Sequence, residues 1–207
     1  MGYRFRPPIA TTAEENQMRR LTYLIGVTVD GFIAGPGDEI DFFPTPEPYL
    51  AHLAAEYPET MPTHVRAALG IADAPNRRWD TVVMGRGTYE PALALGITSP
   101  YAHLRQLVVS STVTVDDPTV EVVTTDPVGR IRELKAERGL DLYLAGGATL
   151  AGALVDEVDD LVIKLYPVLA GSGVPFFSGA GFASRGLERV AATSFDSGHV
   201  IIEYSRA

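Results

Sequence analysis

The sequence predicts an α/β protein with a mostly parallel central sheet, flanked by helices and closed by an antiparallel C-terminal hairpin. Three observations predict it. Short apolar, β-rich runs alternate with helix-spaced segments along the 207 residues, and such alternation builds parallel sheets covered on both faces. Two of the strand-like runs end in glycines that lead straight into a helix start. The last two runs flank Asp196-Ser197-Gly198, a hairpin turn by composition.

Each element follows in order. Residues 21–29 (LTYLIGVTV) form an unbroken apolar run, the pattern of a buried strand. Residues 30–38 are rich in glycine and aspartate, and Pro44, Pro46 and Pro48 come next. Helical spacing resumes over residues 49–56 and 63–69. Residues 80–84 form a strand that enters Gly85-Arg86-Gly87-Thr88 and a helix. Two further strands, 106–110 and 120–123, are separated by a turn at Asp116-Asp117-Pro118. Residues 127–138 carry Val128, Ile131 and Leu134 on one side, and Gly139 supplies the helix stop. A strand at 141–145, a helix at 148–155 and a strand at 161–168 precede the hairpin strands 187–194 and 199–204. We read residues 1–18 as an N-terminal arm and 19–207 as one domain, a length suited to a single core.

Composition narrows the function. A hydrophobic fraction of 46% with 21% charged residues is ordinary for a globular chain. The absence of cysteine removes disulfides, cysteine-ligated zinc, iron–sulfur clusters and thiolate catalysis. The net charge of −9 disfavours nucleic acid as a partner, and Arg77-Arg78 and Arg130/Arg132/Lys135 are short and lie among carboxylates. No apolar run reaches the roughly 20 residues of a membrane span. The arm has no apolar core of a secretory signal, so the expected compartment is the cytoplasm.

The chemistry concentrates at the two strand–glycine–helix segments, Val82-Val83-Met84-Gly85-Arg86-Gly87-Thr88-Tyr89 and Leu142-Tyr143-Leu144-Ala145-Gly146-Gly147-Ala148-Thr149. Glycine admits a phosphate close to the backbone, and the helix start supplies unpaired N–H groups and a positive dipole end. Either segment alone is explained by the need of a tight strand-to-helix turn for glycine. Two in one chain point to a dinucleotide. Arg86 and the pair Ser110-Ser111 suit a 2′-phosphate, which needs a cation and hydroxyl or amide donors. The same serines also suit a simple strand cap. Gly171-Ser172-Gly173 lacks a third glycine, and there is no Walker A, G-x-S-x-G or H-E-x-x-H pattern. His52, His64, His103 and His199 have no metal-ligand spacing and read as surface or hydrogen-bonded residues; no metal is expected. Asp30, Asp38, Glu39, Asp41 and Glu47 are the acids available to hold a heterocycle and manage its proton beside Phe42 and Phe43. A solvated acidic loop is the alternative reading of each.

Taken in order, these segments resemble the bacterial dihydrofolate-reductase-like family, related to the C-terminal reductase domain of the bifunctional riboflavin-biosynthesis deaminase/reductase. The resemblance rests on Val29-Asp30-Gly31-Phe32-Ile33-Ala34-Gly35 with Asp38 and Asp41-Phe42, then Met84-Gly85-Arg86-Gly87-Thr88-Tyr89-Glu90 and Val108-Val109-Ser110-Ser111. It continues through Ala145-Gly146-Gly147 with Leu150, Val158-Asp159-Asp160-Leu161, and Pro167-Val168-Leu169-Ala170-Gly171-Ser172-Gly173 with Phe176-Phe177. Thr28 stands where the family often has serine, and Phe42 where tryptophan is usual. The zinc signature of the deaminase half is absent.

The resemblance implies a dihydrofolate-reductase-like fold, NADPH as hydride donor, and often a homodimer. By position, Gly85, Arg86, Gly87, Thr88, Ser110, Ser111, Gly146, Gly147, Ala148 and Thr149 would line the cofactor site. Residues 30–41 would form a loop over the nicotinamide, with Asp30, Asp41 and Glu47 as the candidate catalytic acids. The implied substrate is a pterin or dihydrofolate-like ring, or a pyrimidine like 5-amino-6-(5-phosphoribosylamino)uracil. Two rival readings stand beside this one: a non-catalytic NADPH-binding sensor or dimeric scaffold, and a nucleotide-sugar or phosphate-ester enzyme using the same helix starts.

Overall fold

The computed structural model describes residues 18–207; apart from Met18, the arm expected over residues 1–18 lies outside the described residues. Eight strands form the main sheet: β1 (Leu21–Thr28), β3 (Trp79–Gly85), β4 (Arg105–Val109), β5 (Val120–Val123), β6 (Asp141–Gly146), β7 (Asp160–Tyr166), β9 (Leu187–Ser194) and β10 (Val200–Arg206). Their order is β5-β4-β3-β6-β1-β7-β10-β9. The first six pair in parallel, and β10 runs antiparallel to both β7 and β9. This is the mostly parallel sheet with an antiparallel C-terminal hairpin that the strand–helix alternation predicts.

Side chains alternate across the strands and feed two cores. On one face Leu24, Trp79, Val82 and Met84 pack with Tyr49, Leu53 and Tyr89 from α1 (Glu47–Glu56) and α3 (Arg86–Ala94). On the other, Leu21, Tyr23, Val83 and Leu144 pack with Ile131, Leu134, Leu150 and Leu154 of α4 (Pro127–Ala136) and α5 (Ala148–Ala153) with its end. Helix α4 starts as its sequence requires: Pro127 occupies the first turn and the Asp126 carboxylate accepts from Gly129 N at 2.9 Å. Helix α1 begins two residues before the predicted position. Pro46 caps it and Pro48 sits in the first turn, where a missing N–H costs nothing. The segment predicted as a helix over 63–69 is shorter, α2 (Thr63–Arg66). A small second sheet pairs β2 (Phe32–Ala34), within the glycine- and aspartate-rich stretch 30–38, with β8 (Val174–Pro175).

The sheet is fastened at the end where its parallel strands begin. The Arg20 guanidinium meets the Asp160 carboxylate at 2.6 and 2.7 Å and donates to Ser205 Oγ at 2.8 Å. Arg20 N donates to Asp141 at 2.7 Å, Leu21 N to Asp159 at 2.7 Å, and Arg19 pairs with Asp80. Five strands, β3, β6, β1, β7 and β10, are thereby held to one level. At the other end β1 and β6 part. Their ladder covers only Leu21↔Leu142 to Tyr23↔Leu144, whereas β1 continues along β7 to Thr28↔Tyr166. Beyond that point β1 and β6 no longer pair, at the carboxyl ends of the strands, which is where ligands bind in open α/β sheets.

Segment 176–180 closes against α5. Ser178 N donates to Ala148 O at 3.1 Å, and a Cβ on Gly152 would lie 1.8 Å from Ser178 O. That clash is with backbone, so Gly152→Ala is expected to lower stability by ~1–3 kcal/mol. Thermal unfolding should show it as a fall in Tm of roughly 2–12 °C; an unchanged Tm would mean the segment is not seated on α5.

Candidate active site

Three adjacent strand ends, β4, β3 and β6, bring the predicted cofactor residues into one row. Val109 pairs with Gly85, and Met84 with Gly146. Ser110-Ser111, Gly85–Thr88 and Gly146–Thr149 therefore follow in sequence from neighbouring tips. The two glycine turns touch: a Cβ on Gly85 would meet Gly147 N at 3.2 Å and Gly146 O at 3.4 Å. Gly146 also has φ +119°, a conformation that requires glycine. The Gly146–Gly147 peptide is cis. Helices α3 and α5 are capped by Gly85 and Gly147, with no side-chain cap on their first N–H groups among the described residues. The α3 tip is open: a Cβ on Gly87 would meet no described atom within 4 Å, and Arg86 and Thr149 are exposed.

The polar residues of the row differ in what occupies them. Arg86 is 60% exposed and pairs with Glu90 at 3.6 Å, a surface pair that gives way readily to an anion. The Ser110 hydroxyl is engaged locally, accepting from Thr112 N at 3.1 Å and Val113 N at 3.0 Å. Ser110 thus serves as a local cap, and Ser111 is the exposed member of the pair. Thr88 Oγ1 lies beside Gly146 and Gly147.

The three candidate acids do not converge. Asp30 is a clasp: it accepts from Thr28 Oγ1 at 2.6 Å, Ala170 N at 3.1 Å and Gly171 N at 2.7 Å. Thr28 keeps the hydroxyl that serine would supply, and it accepts from Phe32 N at 2.9 Å. Asp41 lines a cavity of about 400 Å³ with Gly35, Glu39, Phe42, Val168 and Ser172. Glu47 stands exposed in the first turn of α1, whose buried side is Tyr49, Leu53 and Ala54. A larger cavity, about 570 Å³, lies at the opposite pole, against Met18, Arg77, Trp79, Leu140 and Glu203.

Sequence reasoning missed an aromatic wall behind the loop. Phe43 packs on Tyr166 at 4.5 Å, and Tyr166 meets Tyr49 at 5.6 Å. Tyr49 stacks on His199 at 4.4 Å. His199 is buried and bridges Pro44 O and Ser197 Oγ, both at 2.9 Å, which fastens the entry of α1 to the hairpin. The available signal was Gly26, a glycine inside an apolar strand, which marks close approach of another group. A Cβ there would lie 2.9 Å from the Tyr166 ring. Burial, and then Tyr166, raise the Tyr49 pKa far above the ordinary phenol value, yet its buried hydroxyl makes no well-aligned hydrogen bond among the described residues.

Fold and site together define a dihydrofolate-reductase-like α/β protein with its crevice at the carboxyl ends of the parallel strands. The chain belongs to the RibD C-terminal domain family, which it matches over residues 19–201. Among relatives of Bacillus subtilis (strain 168), uncharacterized protein YwjB is 29% identical over 164 residues, 77% of this chain and 84% of that protein. Uncharacterized protein YyaP is 24% identical over 201 residues, 91% and 95% of the two chains. A putative riboflavin biosynthesis protein from Shewanella sp. PV-4 superposes with TM-score 0.68 at 25% identity, over 92% of this chain and 99% of that one. The Thermotoga maritima deaminase/5-amino-6-(5-phosphoribosylamino)uracil reductase gives 0.62 at 16% identity, over 92% of this chain and 57% of that one. Dihydrofolate reductase from Enterococcus faecalis, complexed with NADP(H), gives 0.60 at 19%, over 90% and 96%; these last two share the fold. Among the described residues no helix is long and apolar enough to cross a membrane.

Two outcomes test the site's construction. Thr28 first, then the Ala170 and Gly171 amides, lower the Asp30 pKa from 3.8 to about 2. A lowered folded-state value means the clasp contributes fully above about pH 4 and is lost as pH falls through about 2. Asp30→Ala should therefore speed hydrogen exchange at the Ala170 and Gly171 amides at neutral pH, and unchanged exchange would refute the clasp. Tyr49→Phe removes a buried hydroxyl without a good partner. Its Tm should match or exceed that of the parent, since loss of an unsatisfied polar group is neutral or favourable.

Proposed function

We propose that the protein is a cytoplasmic NADPH-dependent reductase of a small planar heterocycle. The observation that carries this reading is the contact between two glycine-opened helix starts that lack a side-chain cap, with Arg86 and Ser111 following the paired residues Gly85 and Val109. Such a cradle suits a pyrophosphate, and an exposed guanidinium and an exposed hydroxyl following adjacent strand ends suit a 2′-phosphate. The residues present fit the group. A side chain at Gly85 would crowd the Gly147 N–H against which a phosphate would lie. NADP(H) in the Enterococcus faecalis neighbour and the reductase name of the Thermotoga maritima neighbour point the same way.

When bound, NADPH supplies a hydride to an electrophilic ring carbon. The chain's own part is placement. Gly85–Thr88 and Gly146–Thr149 hold the dinucleotide across the strand ends, and the 35–43 loop covers the substrate. The 400 Å³ cavity is of the size that takes a small ligand, and Phe42 on its rim offers a face for a planar ring. Asp41 is the acid placed to orient that ring and hold its proton, because Asp30 is committed to the clasp, Glu39 accepts from Gly37 N at 2.8 Å, and Glu47 stands outside the cavity lining. A pterin or a ribitylated or phosphoribosylated pyrimidine is the substrate class. Positioning supplies most of the rate in such a reaction.

A non-catalytic NADPH sensor is the second reading, favoured by the lack of any acid on the buried side of α1. Turnover decides between the two. NADPH should raise Tm and consume the pyrimidine or dihydrofolate substrate; binding without oxidation supports the sensor, and no rise in Tm ends both. Trp79, the single tryptophan, opens β3 while the cradle lies at its far end, about 20 Å away by strand rise. Titration should therefore follow NADPH fluorescence.

Arg86→Ala should weaken NADPH binding by ~1–3 kcal/mol, the range of a charge-assisted hydrogen bond, and leave NADH nearly unchanged. Equal losses for the two cofactors would place Arg86 in the scaffold instead.

A further inference from the structure

Lysine is scarce in this chain. Of its 17 basic residues fifteen are arginine and two are lysine, Lys135 and Lys164. Lys135 is buried and paired, with Asp159 at 2.6 Å and with Glu157 O at 2.6 Å. Lys164, in the middle of β7, is partly buried and makes no hydrogen bond or ion pair among the described residues. Burying an unpaired charge is costly, so a cation kept in such a place invites a functional reading.

The strand fixes its face and its level. Val162 and Tyr166 join the core on the α1 side, and Leu161 and Ile163 the core on the other, so Lys164 faces α1. Across the ladder it pairs with Gly26 of β1, the residue after Ile25. A Cβ on Gly146 would lie 3.7 Å from Ile25 Cδ1. Lys164 thus stands level with the glycine turn that ends β6, beyond the last β1–β6 pair, Tyr23↔Leu144. Tyr166, next on the same face, continues the aromatic wall from Phe43 down to it.

The titratable groups packed on this face are Tyr166, then His199 and Glu203 from the hairpin, then Tyr49, His52 and Tyr57 from α1 and its end. From β1 the face has Leu24 and Gly26, which do not titrate. Glu203 is occupied by Tyr57 and Arg78, at 2.8 and 3.2 Å, and His199 by Pro44 and Ser197. Burial alone acts on Lys164, and it lowers the pKa from 10.5 to about 8.

We propose that Lys164 is a catalytic residue of the reductase, the proton donor to the nitrogen of the substrate C=N bond. The inference rests on the reductase reading above. As the carbon of that bond takes the hydride, the π pair moves to nitrogen, and the nitrogen takes a proton from Lys164 Nζ. The substrate is reduced, the dinucleotide is oxidised to NADP+, and the neutral amine regains its proton from water. An ionised carboxylate on the loop side can accept from a ring N–H but has no proton to give. Lysine suits the task and arginine does not, because a guanidinium keeps its proton whereas an amine near 8 can give its own at neutral pH.

Lysine labelled with 13C should give two ε-carbon resonances in the full chain, and the one absent from Lys164→Met is Lys164. With no cofactor present it should titrate with a midpoint near 8. Saturating NADP+ should move it and leave the Lys135 resonance in place. In turnover of dihydrofolate or 5-amino-6-(5-phosphoribosylamino)uracil, kcat/KM should fall above about pH 8, as Lys164 loses its proton. Lys164→Met should lose that limb of the profile and ~10²–10⁴-fold in kcat, the range of a general acid, with NADPH affinity unchanged. Lys164→Arg keeps the charge without a transferable proton and should be as slow. A midpoint at the ordinary lysine value, a resonance that stays put while NADP+ raises Tm, or full activity in either variant overturns the proposal and leaves the reductase reading standing. NADP+ that raises no Tm, or NADPH binding without turnover of either substrate, ends the reductase reading and this proposal together. If Lys164→Met does not fold, Lys164→Arg assigns the resonance, and the parent's titration and its response to NADP+ decide.

Discussion

The short ladder between β1 and β6 is the constraint on which the remainder of the molecule depends. Three paired residues join these strands, and beyond Tyr23↔Leu144 they part. A parallel sheet that paired over its whole length would leave no opening at the carboxyl ends. Here the amino ends are bound by Arg19, Arg20, Asp80, Asp141 and Asp160, and the carboxyl ends are released. Single exposed ion pairs contribute little, but a network that reaches five strands fixes their level, and Arg19 is almost wholly buried within it. The opening is a property of backbone pairing rather than of any one side chain. What the side chains decide is how the opening is lined.

That lining is governed by what must be small. Gly85 and Gly147 touch across β3 and β6, Gly26 makes room for the Tyr166 ring, and Gly146 takes a conformation closed to other residues. Large groups then fill the sides: Phe42 and Phe43 from the loop, Tyr166 from β7, Tyr49 from α1. The loop itself is not left loose. Asp30 joins its first turn to residues 170 and 171, the opposite wall of the 400 Å³ cavity. The cavity wall is thus organised by the protein's own hydrogen bonds.

The parts of this arrangement that could be read from the chain are those encoded locally. A strand, glycines and a helix start are contiguous in Val82–Thr88 and Leu142–Thr149, so these strand tips and the glycines that open them were legible. So was the hairpin, from Asp196-Ser197-Gly198. Pairing between distant segments was not. Phe32–Ala34 joins Val174–Pro175 across some 140 residues, and neither segment is long enough to show a period. The prolines before α1 do not delay it, because proline in a first turn continues a helix without loss. Asp30 offered the same carboxyl group whether it faced a substrate or a backbone amide. Only the position of Ala170 and Gly171 separates those roles, and no spacing in the chain encodes it. Gly26 did carry a local sign of close approach, but its partner Tyr166 lies on another strand.

Backbone pairing and loop lining also explain what kinship can transmit. Neighbours at 16–25% identity keep TM-scores of 0.60–0.68. That much divergence is tolerated because the sheet needs only alternating apolar residues, a fastened lower end and small residues at the tips. Those requirements preserve the cradle. The 35–43 loop and the 168–172 turn are outside them, largely exposed and joined by the Asp30 clasp rather than by sheet pairing. A shared scaffold therefore constrains the glycine-opened strand tips far more tightly than the loop side. The acids follow that division: none lies on the buried face of α1, which the core demands be apolar, and Asp41 sits on the loop, where exchange of a residue leaves the sheet undisturbed.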